Sequence, residues 1–314
     1  MNIKNILKII LPLALGGFLV WYSLSDISLE TLGTYFKEAN YSWIFLGLFF
    51  GVLSHLSRAY RWKFMLEPLG FKPKFTNSVL AVLVGYLVNL ALPRAGEISR
   101  ATVMANYEEI PFEKGFGTIV AERIADLIMM LTIIVITLFV QFDFIYDLLT
   151  KNFDPVKIGI GLAILVIGFF IFRSFVKKAK SGFLLKIKNF VSGLLEGVTS
   201  IFKMKNKWAF IFHTVFIWAM YVAMFWATIP AIEDLNVPIG GILIGFIAGG
   251  FSIAATNGGV GLYPVAVAGA LALFDIPTEP ATAFGWIMWT AQTAMIVVFG
   301  GLAFLMLPIY NKNK

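Results

Sequence analysis

The sequence predicts an all-α polytopic membrane protein, on the strength of its composition, its long apolar runs and the charges between those runs. Hydrophobic residues make up 59% and charged residues 14% of its 314 residues, and the mean hydropathy is +0.84. A soluble domain is about 45–50% apolar and about 25% charged. Since a helix of about 20 apolar residues spans a bilayer, we expect one integral membrane domain over residues 1–314, with about 8–10 membrane segments.

The composition also excludes several kinds of function. The chain has no cysteine and only two histidines, so cysteine-based metal sites and cysteine nucleophiles are excluded. The GxxxxGK[ST] pattern of a nucleotide phosphate loop is absent. The formal net charge is +7, which in a membrane protein reflects basic cytoplasmic loops rather than nucleic-acid binding. We therefore expect no enzyme activity, no metal or other cofactor, and no nucleic-acid partner.

Six stretches are candidates for membrane spans, and two further apolar regions are irregular. Residues 5–24 also resemble a signal peptide, but the apolar run is long enough to favour an uncleaved span. The irregular region 75–105 is broken by Pro93 and Gly96, and region 238–274 is broken by a glycine-dense turn. The candidate spans are 5–24, 41–62, 118–141, 156–173, 208–229 and 281–309.

The charges of the linkers predict the orientation of the chain. Residues 58–76 and 173–207 are rich in lysine and arginine, whereas residues 142–157 and 230–237 are acidic or mixed. The positive-inside rule then places the two basic linkers and both termini in the cytoplasm. This assignment requires each irregular region to begin and end on the same side. Each is therefore a hairpin, made either of two short spans or of two re-entrant half-helices.

This topology predicts two inverted repeats. Residues 41–141 form the first repeat and residues 208–314 the second, upside down relative to the first, and each contains one hairpin. Residues 1–40 add an extra first span, and residues 142–207 add another span and a basic segment. That segment, 173–207, has apolar residues at helical spacing between lysines, which indicates either an amphipathic helix on the inner leaflet or a linker helix packed on the bundle. Inverted repeats with broken helices are typical of secondary transporters.

Most of the candidate functional residues lie between Asn89 and Asp126. An ionisable residue within a bilayer costs about 2.5–3.5 kcal/mol on insertion scales, so such residues are paired, hydrated or functional. The charges here sum to zero, which allows a closed ion-pair network that fixes the hairpin to span 118–141. The alternative is a hydrated site that binds a charged headgroup or couples a proton, near the N-terminus of the half-helix after Gly96. The charged residues are Arg94, Glu97, Arg100, Glu122, Arg123 and Asp126.

Two further groups complete the candidate site. Arg58 and Arg61 lie on one face of span 41–62, close to His55, and are either headgroup-binding residues or an interfacial anchor with Trp62. The glycine-dense turn of the second hairpin either allows close helix packing or forms an exposed backbone turn that faces the first hairpin. Its residues are Asn257, Gly258, Gly259 and Gly261.

These stretches resemble a known family. The motifs that carry the resemblance are Arg58-x-x-Arg61-Trp62, Asn89-x-x-x-Pro93-Arg94-x-Gly96-Glu97-x-x-Arg100, Glu122-Arg123-x-x-Asp126 and Gly258-Gly259-x-Gly261. Together they resemble the transmembrane region of lysylphosphatidylglycerol synthases and related flippase-like proteins. The resemblance implies movement of lipids between leaflets, notably of aminoacylated phosphatidylglycerol. Two departures are a Tyr263-Pro264 pair where many relatives carry a glutamate, and no aminoacyl-transferase domain before the last residue, Lys314.

We therefore expect a plasma (inner) membrane translocase for lipids or lipid-linked intermediates of the cell envelope, with membrane lipids and a lipid-modifying or glycosylating synthase as partners. Its substrates would be anionic or aminoacylated phospholipids or polyprenyl phosphates. The alternatives are an ion-coupled transporter of a small solute and a non-transporting accessory subunit of an envelope-lipid synthase. Three sets of residues have roles in this hypothesis. Arg94, Arg100 and Arg123 meet a phosphate, and Glu97, Glu122 and Asp126 orient these arginines or carry a proton. Arg58 and Arg61 gather the headgroup at the cytoplasmic face, and Asn89 is a further candidate for substrate binding.

Overall fold

The protein is described by a computed structural model that covers residues 16–25, 27–92, 94–152, 204–256 and 258–312, with scattered positions between 154 and 188. Two compact units divide the chain. The first consists of Met1–Glu122 with Trp208–Lys314, and the second of Arg123–Lys207. Over the residues that the structure describes, the secondary structure is helical and contains no strand, which confirms the predicted all-α class.

The helices are numbered here in chain order. A short helix over residues 16–23, α1, precedes the remaining ones, and 3-10 turns follow α3 and α8 at Glu67–Leu69 and Ile229–Ala231. The remaining helices are α2 (Leu29–Glu38), α3 (Tyr41–Leu66), α4 (Phe75–Ala91), α5 (Ala95–Glu108), α6 (Phe112–Val140), α7 (Phe142–Asn152), α8 (Lys207–Thr228), α9 (Ile239–Ala255), α10 (Leu262–Ala272) and α11 (Thr278–Tyr310).

Four of these helices are long and apolar enough to cross a membrane. With their adjoining turns they are Tyr41–Leu69, Phe112–Val140, Lys207–Ala231 and Thr278–Tyr310. They coincide with the predicted spans 41–62, 118–141, 208–229 and 281–309. The apolar residues of these segments face outward in large part, as expected of side chains that contact lipid. The chain is therefore a multi-pass membrane protein.

Each irregular region is a pair of short helices joined by a tight turn, as predicted. Helices α4 and α5 form the first hairpin, and α9 and α10 form the second. At 1.5 Å per residue, the 17 residues of α4 extend over about 25 Å and the 11 residues of α10 over about 16 Å. Both are shorter than a hydrocarbon core of about 30 Å. Each hairpin lies between two long helices in the chain order, but the inverted orientation of the two repeats remains a prediction.

The first hairpin is closed by an asparagine and two glycines. The side chain of Asn89, near the end of α4, accepts a hydrogen bond of 2.7 Å from the Gly96 N–H in the first turn of α5. A Cβ at Gly96 would overlap the carbonyl oxygen of Gly85, so the backbones of α4 and α5 are in direct contact at these two glycines. Arg94 precedes α5 at φ 60°, in the left-handed region that non-glycine residues rarely adopt. The predicted breaker Pro93 lies outside the described residues.

The second hairpin turns on three glycines with positive φ. Gly258, Gly259 and Gly261 have φ values of 65°, 81° and 69°, which glycine adopts without steric strain. The Trp289 indole N–H donates to the carbonyl oxygen of Gly258 over 2.8 Å. A Cβ at Gly261 would lie 2.5 Å from the backbone nitrogen of Val20. The turn is therefore held by α11 and lies against α1.

The two hairpin tips meet. A Cβ added at Gly258 would lie 2.8 Å from Leu90 Cδ2 at the end of α4. Helix α11 also crosses α4 closely, since a Cβ at Gly300 would lie 2.7 Å from Leu87 Cβ. The glycine turn thus contacts the first hairpin, but Gly259 and Gly261 are buried and not exposed as one interpretation of the sequence expected. A core on the side of the second hairpin supports this arrangement, with Phe225 and Phe284 in an edge-to-face contact at 5.1 Å.

Several predictions concern residues outside those that the structure describes. The first span, 5–24, is described only from residue 16. Most of span 156–173 and of the basic segment 173–207 lies outside the described residues, as does Asn257. The extra spans and the amphipathic helix therefore remain predictions.

Candidate functional site

The centre of the candidate site is a fully buried carboxylate that forms ion pairs with three arginine side chains. Glu122 has no exposed side-chain surface. Arg58 Nη1 donates to its Oε1 at 2.5 Å, and Arg61 Nη2 lies 3.3 Å from the same oxygen. Arg100 donates to both oxygens, with Nη1–Oε1 and Nη2–Oε2 distances of 3.2 Å. We call these four side chains the arginine–glutamate network.

Three helices of the first unit position this network. Arg58 and Arg61 are one turn apart on α3, so both side chains leave the helix on the same face. Arg100 lies on the second helix of the first hairpin, and Glu122 lies on α6. The network therefore joins α3, the first hairpin and α6. The ion-pair interpretation of the sequence connects only the hairpin and span 118–141, and it does not include Arg58 or Arg61.

Other contacts fix two of the guanidinium groups. Arg61 Nη1 donates to Thr214 Oγ1 at 2.8 Å, and its guanidinium lies 5.2 Å from the centre of the Phe210 ring. The Arg100 guanidinium lies 4.2 Å from the centre of the Trp62 ring. Stacking of this kind contributes about 0.5–2 kcal/mol, more where water is excluded. The positions of these two guanidinium groups are therefore fixed by contacts with aromatic rings as well as by the ion pairs with Glu122.

Burial of Trp62 excludes the interfacial-anchor interpretation of this stretch. Trp62 and Arg61 have no exposed surface, and Arg58 is 3% exposed. The Trp62 indole N–H donates to Thr118 Oγ1 on α6 at 2.8 Å. An interfacial anchor would present these side chains to headgroups and water, whereas here they line the interior.

A chain of hydroxyl groups extends from the network toward less buried surface. Arg58 Nη2 donates to the Tyr221 hydroxyl at 3.4 Å, and Tyr221 is 3.2 Å from the Tyr86 hydroxyl. Both tyrosines are half-buried. Tyr86 lies on α4 and Tyr221 on α8. These hydrogen bonds therefore connect two further helices to the network.

The remaining predicted residues of the first hairpin lie at its turn rather than in the network. Arg94 is exposed, and Asn89 caps α5 as described above. The Asn89 side chain thus binds one of the backbone N–H groups that are free at the start of a helix. These are the N–H groups of α5 that the sequence predicts to face an anion. Glu97 is half-buried, and its Oε2 is a buried atom without a hydrogen-bond partner among the residues described.

Arg123 and Asp126 form their own ion pair in the second unit. Arg123 Nη2 lies 3.2 Å from Asp126 Oδ2, one turn along α6. The Arg123 side chain is 42% exposed and that of Asp126 is 11% exposed. Only the arginine of this pair is exposed, since Asp126 is a buried residue, whereas every side chain of the arginine–glutamate network is buried.

The described part of the chain contains no group of three or more histidine, cysteine, aspartate or glutamate side chains arranged to hold a metal ion. The three arginines favour anions instead, because a planar guanidinium matches carboxylate and phosphate oxygens in a two-pronged hydrogen bond. The site is therefore suited to oxyanion binding.

Sequence reasoning missed several polar residues at and below this site. Thr214 and Tyr221 lie within the apolar span of α8, where no charge or motif marked them. Asn77 and Asn311 were also missed; they exchange two hydrogen bonds of 3.0 and 2.9 Å between α4 and the end of α11. Tyr86 was detectable, since it lies one turn before Asn89 on the same helix.

Comparisons with known proteins agree with this architecture. The family model of the lysylphosphatidylglycerol synthase TM region matches residues 9–301. A UPF0104 membrane protein of Methanocaldococcus jannaschii is 30% identical over 151 residues, which are 46% of this chain and 45% of the relative. The match thus spans less than half the length of that relative. No solved structure matches the chain. Because the family model covers most of the sequence, the chain belongs to the family of the lysylphosphatidylglycerol synthase transmembrane region.

Proposed function

We propose that this protein is a translocase that moves lipids or lipid-linked intermediates across the plasma membrane, with both termini in the cytoplasm. Its substrates would be anionic or aminoacylated phospholipids or polyprenyl phosphates of the cell envelope, and its role would be transport rather than catalysis. The observation that carries the proposal is the convergence of Arg58, Arg61 and Arg100 on one buried point, the Glu122 carboxylate.

The chemistry of that point suits a phosphate. Phosphate oxygens and carboxylate oxygens accept the same two-pronged hydrogen bonds from a guanidinium group. Glu122 therefore holds the three arginines in the arrangement that a phosphate would need. In the proposed cycle, the headgroup phosphate displaces Glu122 from the guanidinium groups, and the carboxylate returns when the lipid leaves.

The first hairpin supplies the moving part in this proposal. Arg100 is the network residue on the hairpin, and it makes two of the hydrogen bonds to Glu122. The hairpin is short, and its tip meets the tip of the second hairpin. A shift of α5 would separate Arg100 from Glu122 while Arg58 and Arg61 remain together on α3. Discontinuous helices that meet in this way are typical of the sites of membrane transporters.

A purely structural network makes a different prediction. If the network only fixes the hairpin, a variant that retains the fold also retains any transport. If the network binds phosphate, Arg100→Gln abolishes transport even where the protein inserts and folds. Measuring transport by variants that retain the fold therefore distinguishes the two interpretations.

The test is a translocation assay in proteoliposomes. A fluorescent phosphatidylglycerol is added to vesicles with purified protein, and bleaching by an external reductant reports its movement between leaflets. Loss of two charge-assisted hydrogen bonds, each about 1.5–3 kcal/mol, predicts a loss of rate of at least about a hundredfold for Arg100→Gln. Lys63→Gln is the matched control, since Lys63 lies on α3 next to the site, is 40% exposed, and makes a 3.9 Å contact with Glu67. Wild-type rates in folded Arg61→Gln and Arg100→Gln proteins would refute the proposal.

A further inference from the structure

The carboxylate of the arginine–glutamate network depends on its arginine partners for its charge. Glu122 has no exposed surface and lies inside α6, away from both helix ends. An ionised carboxylate without water is tolerated only where cations or hydrogen-bond donors compensate its charge. The guanidinium groups of α3 and α5 provide this compensation, at nitrogen–oxygen distances of 2.5, 3.3 and 3.2 Å. The charge of Glu122 is therefore tied to the positions of these groups.

The neighbours of Glu122 on α6 are engaged with other partners. The Thr118 hydroxyl, one turn earlier, donates to the Gly115 carbonyl oxygen at 2.7 Å and accepts the indole N–H of Trp62 at 2.8 Å. Arg123 pairs with Asp126 at 3.2 Å. The aromatic ring of Trp62 also covers one side of the network. These neighbours are therefore not placed to take over from the guanidinium groups that a phosphate would occupy.

Displacement of Glu122 by a phosphate thus leaves a buried acid next to a second anion. Two anions that share one buried site are not both ionised, because burial and the like charge each disfavour the charged form. The neutral acid avoids both costs. It also gains an O–H group that donates to a phosphate oxygen, whereas the ionised form only accepts. Exchange of the carboxylate for a phosphate therefore favours uptake of a proton.

We propose that Glu122 binds one proton when the lipid phosphate occupies the network and releases it when the phosphate leaves, which makes the protein a proton–lipid symporter. A carboxylate oxygen forms an O–H bond with a proton from water on the side where the lipid enters. That bond breaks when the guanidinium groups return to the carboxylate, and the proton passes to water on the other side. The inference rests on the proposed function, because the phosphate is what displaces Glu122, and it adds the energy source.

Other titratable groups near the network compete with Glu122 as the proton site. His55 on α3 is buried, and its ring centre lies 4.5 Å from that of Tyr86 on α4 and 6.4 Å from that of Tyr221 on α8. His213 on α8 shares a hydrogen bond of 2.8 Å with Ser57 Oγ on α3. Histidine titrates near neutral pH, so both histidines need variants of their own. The charged side chains of the same helices are Arg58 and Arg61 on α3, Glu97 and Arg100 on α5, and Arg123 and Asp126 on α6.

The first test measures binding of phosphatidylglycerol to the full-length protein in detergent between about pH 5.5 and pH 8. Its phosphodiester keeps one negative charge over this range, so the lipid itself contributes no proton. Because the bound state holds one proton more than the free state, the affinity should rise as the pH falls, roughly tenfold for each pH unit. Glu122→Gln has no proton to take up, so its affinity should be independent of pH whatever its absolute value.

Ring-preserving variants are the matched controls. His55→Phe and His213→Phe retain the aromatic packing and remove the competing proton sites, so both should keep the tenfold dependence on pH. A direct proton count on the wild-type protein makes the test independent of whether Glu122→Gln folds. In weakly buffered solution with a pH indicator, phosphatidylglycerol should cause uptake of about one proton for each lipid bound. Diacylglycerol, which lacks the phosphate, should cause none.

The transport test imposes a pH gradient on proteoliposomes while valinomycin and potassium hold the membrane potential at zero. Symport predicts faster movement of fluorescent phosphatidylglycerol from the acidic to the alkaline side than in the opposite direction. Equal rates in the two directions would overturn the coupling.

The outcomes separate this inference from the proposed function. Phosphatidylglycerol that binds without pH dependence and without proton uptake would overturn the coupling and leave the phosphate site intact. A pH dependence that persists in Glu122→Gln, or that disappears in either histidine variant, would assign the proton to another group and overturn the role of Glu122. Equal binding of phosphatidylglycerol and diacylglycerol would overturn the phosphate site and the coupling together.

Discussion

Glu122→Gln is the most direct test of the arginine–glutamate network. The substitution keeps the shape of the side chain and removes the charge that three guanidinium groups contact within 3.3 Å. Removing one partner of a buried ion pair costs about 3–5 kcal/mol. The amide oxygen of glutamine still accepts hydrogen bonds, so we expect the lower end, about 3 kcal/mol. That is a large share of the 5–15 kcal/mol that is typical of native proteins.

The assay is equilibrium unfolding in mixed micelles, followed by tryptophan fluorescence. Glu67→Gln is the control, because Glu67 is 30% exposed and lies 3.9 Å from Lys63; surface pairs of this kind contribute about 0.2–1 kcal/mol. A double-mutant cycle with Arg100→Met then isolates the coupling between Arg100 and Glu122, for which residues in one network show about 0.5–3 kcal/mol.

Destabilisation by Glu122→Gln of less than about 1 kcal/mol, the loss expected at a surface pair, would contradict this role of Glu122. Absence of coupling with Arg100 in the cycle would contradict it as well, because two hydrogen bonds of 3.2 Å join these side chains. Either result would mean that Glu122 does not hold the arginines together, and the carboxylate would then not mark a phosphate position.

Two further predictions concern the first hairpin, and unfolding free energies check both. Asn89→Ala removes the acceptor for the Gly96 N–H and should cost about 1 kcal/mol, as loss of a helix N-cap does; an unchanged free energy would show that water replaces the cap. Gly96→Ala places a Cβ against the Gly85 carbonyl and should cost about 1–3 kcal/mol, as overpacking does. Gly33→Ala on α2 has open space around it and should stabilise by about 0.5–1 kcal/mol; equal effects at the two glycines would contradict the close helix contact.

The membrane segments were predictable because their physical cause is local. A run of about 20 apolar residues needs no distant partner in order to form a spanning helix. The four long spans therefore overlap the predicted ones, although their ends differ by up to seven residues. Both hairpins were also predictable, since the glycine turn at 258–261 marks where a helix cannot continue. The break differed in its position, since α5 begins at Ala95 and Gly96 lies within its first turn. Asn89 and Gly85 contact Gly96 there.

The composition of the site was predictable, but its grouping was not. Each of Arg58, Arg61, Arg100 and Glu122 was recognisable as a charge in or near an apolar segment. The structure joins Glu122 to Arg58, a residue 64 positions away. Long-range pairing depends on which faces of the helices pack together, and a single sequence does not specify those faces.

Uncharged polar residues were the hardest to predict, for a related reason. Threonine and tyrosine occur often in membrane helices without any function, and Thr214 or Tyr221 gives no signal until its partner is known. Asn77 and Asn311 show the same limit, since they pair across 234 positions. Such residues are informative only in three dimensions, where an unpartnered or shared polar atom can be recognised.

The distribution of the network over the helices makes the first hairpin its adjustable part. Arg58 and Arg61 share α3, so their separation is set by helix geometry and does not change when helices move. Arg100 reaches Glu122 only through the position of α5, and that position depends on Asn89, Gly96 and the contact between Leu90 and Gly258. A change at the hairpin tips therefore alters the Arg100–Glu122 distance without disturbing the arginine pair on α3. For that reason, substitutions at the tip should change the rate of translocation more than the affinity for phosphate, whereas substitutions of Arg58 or Arg61 should weaken the affinity itself.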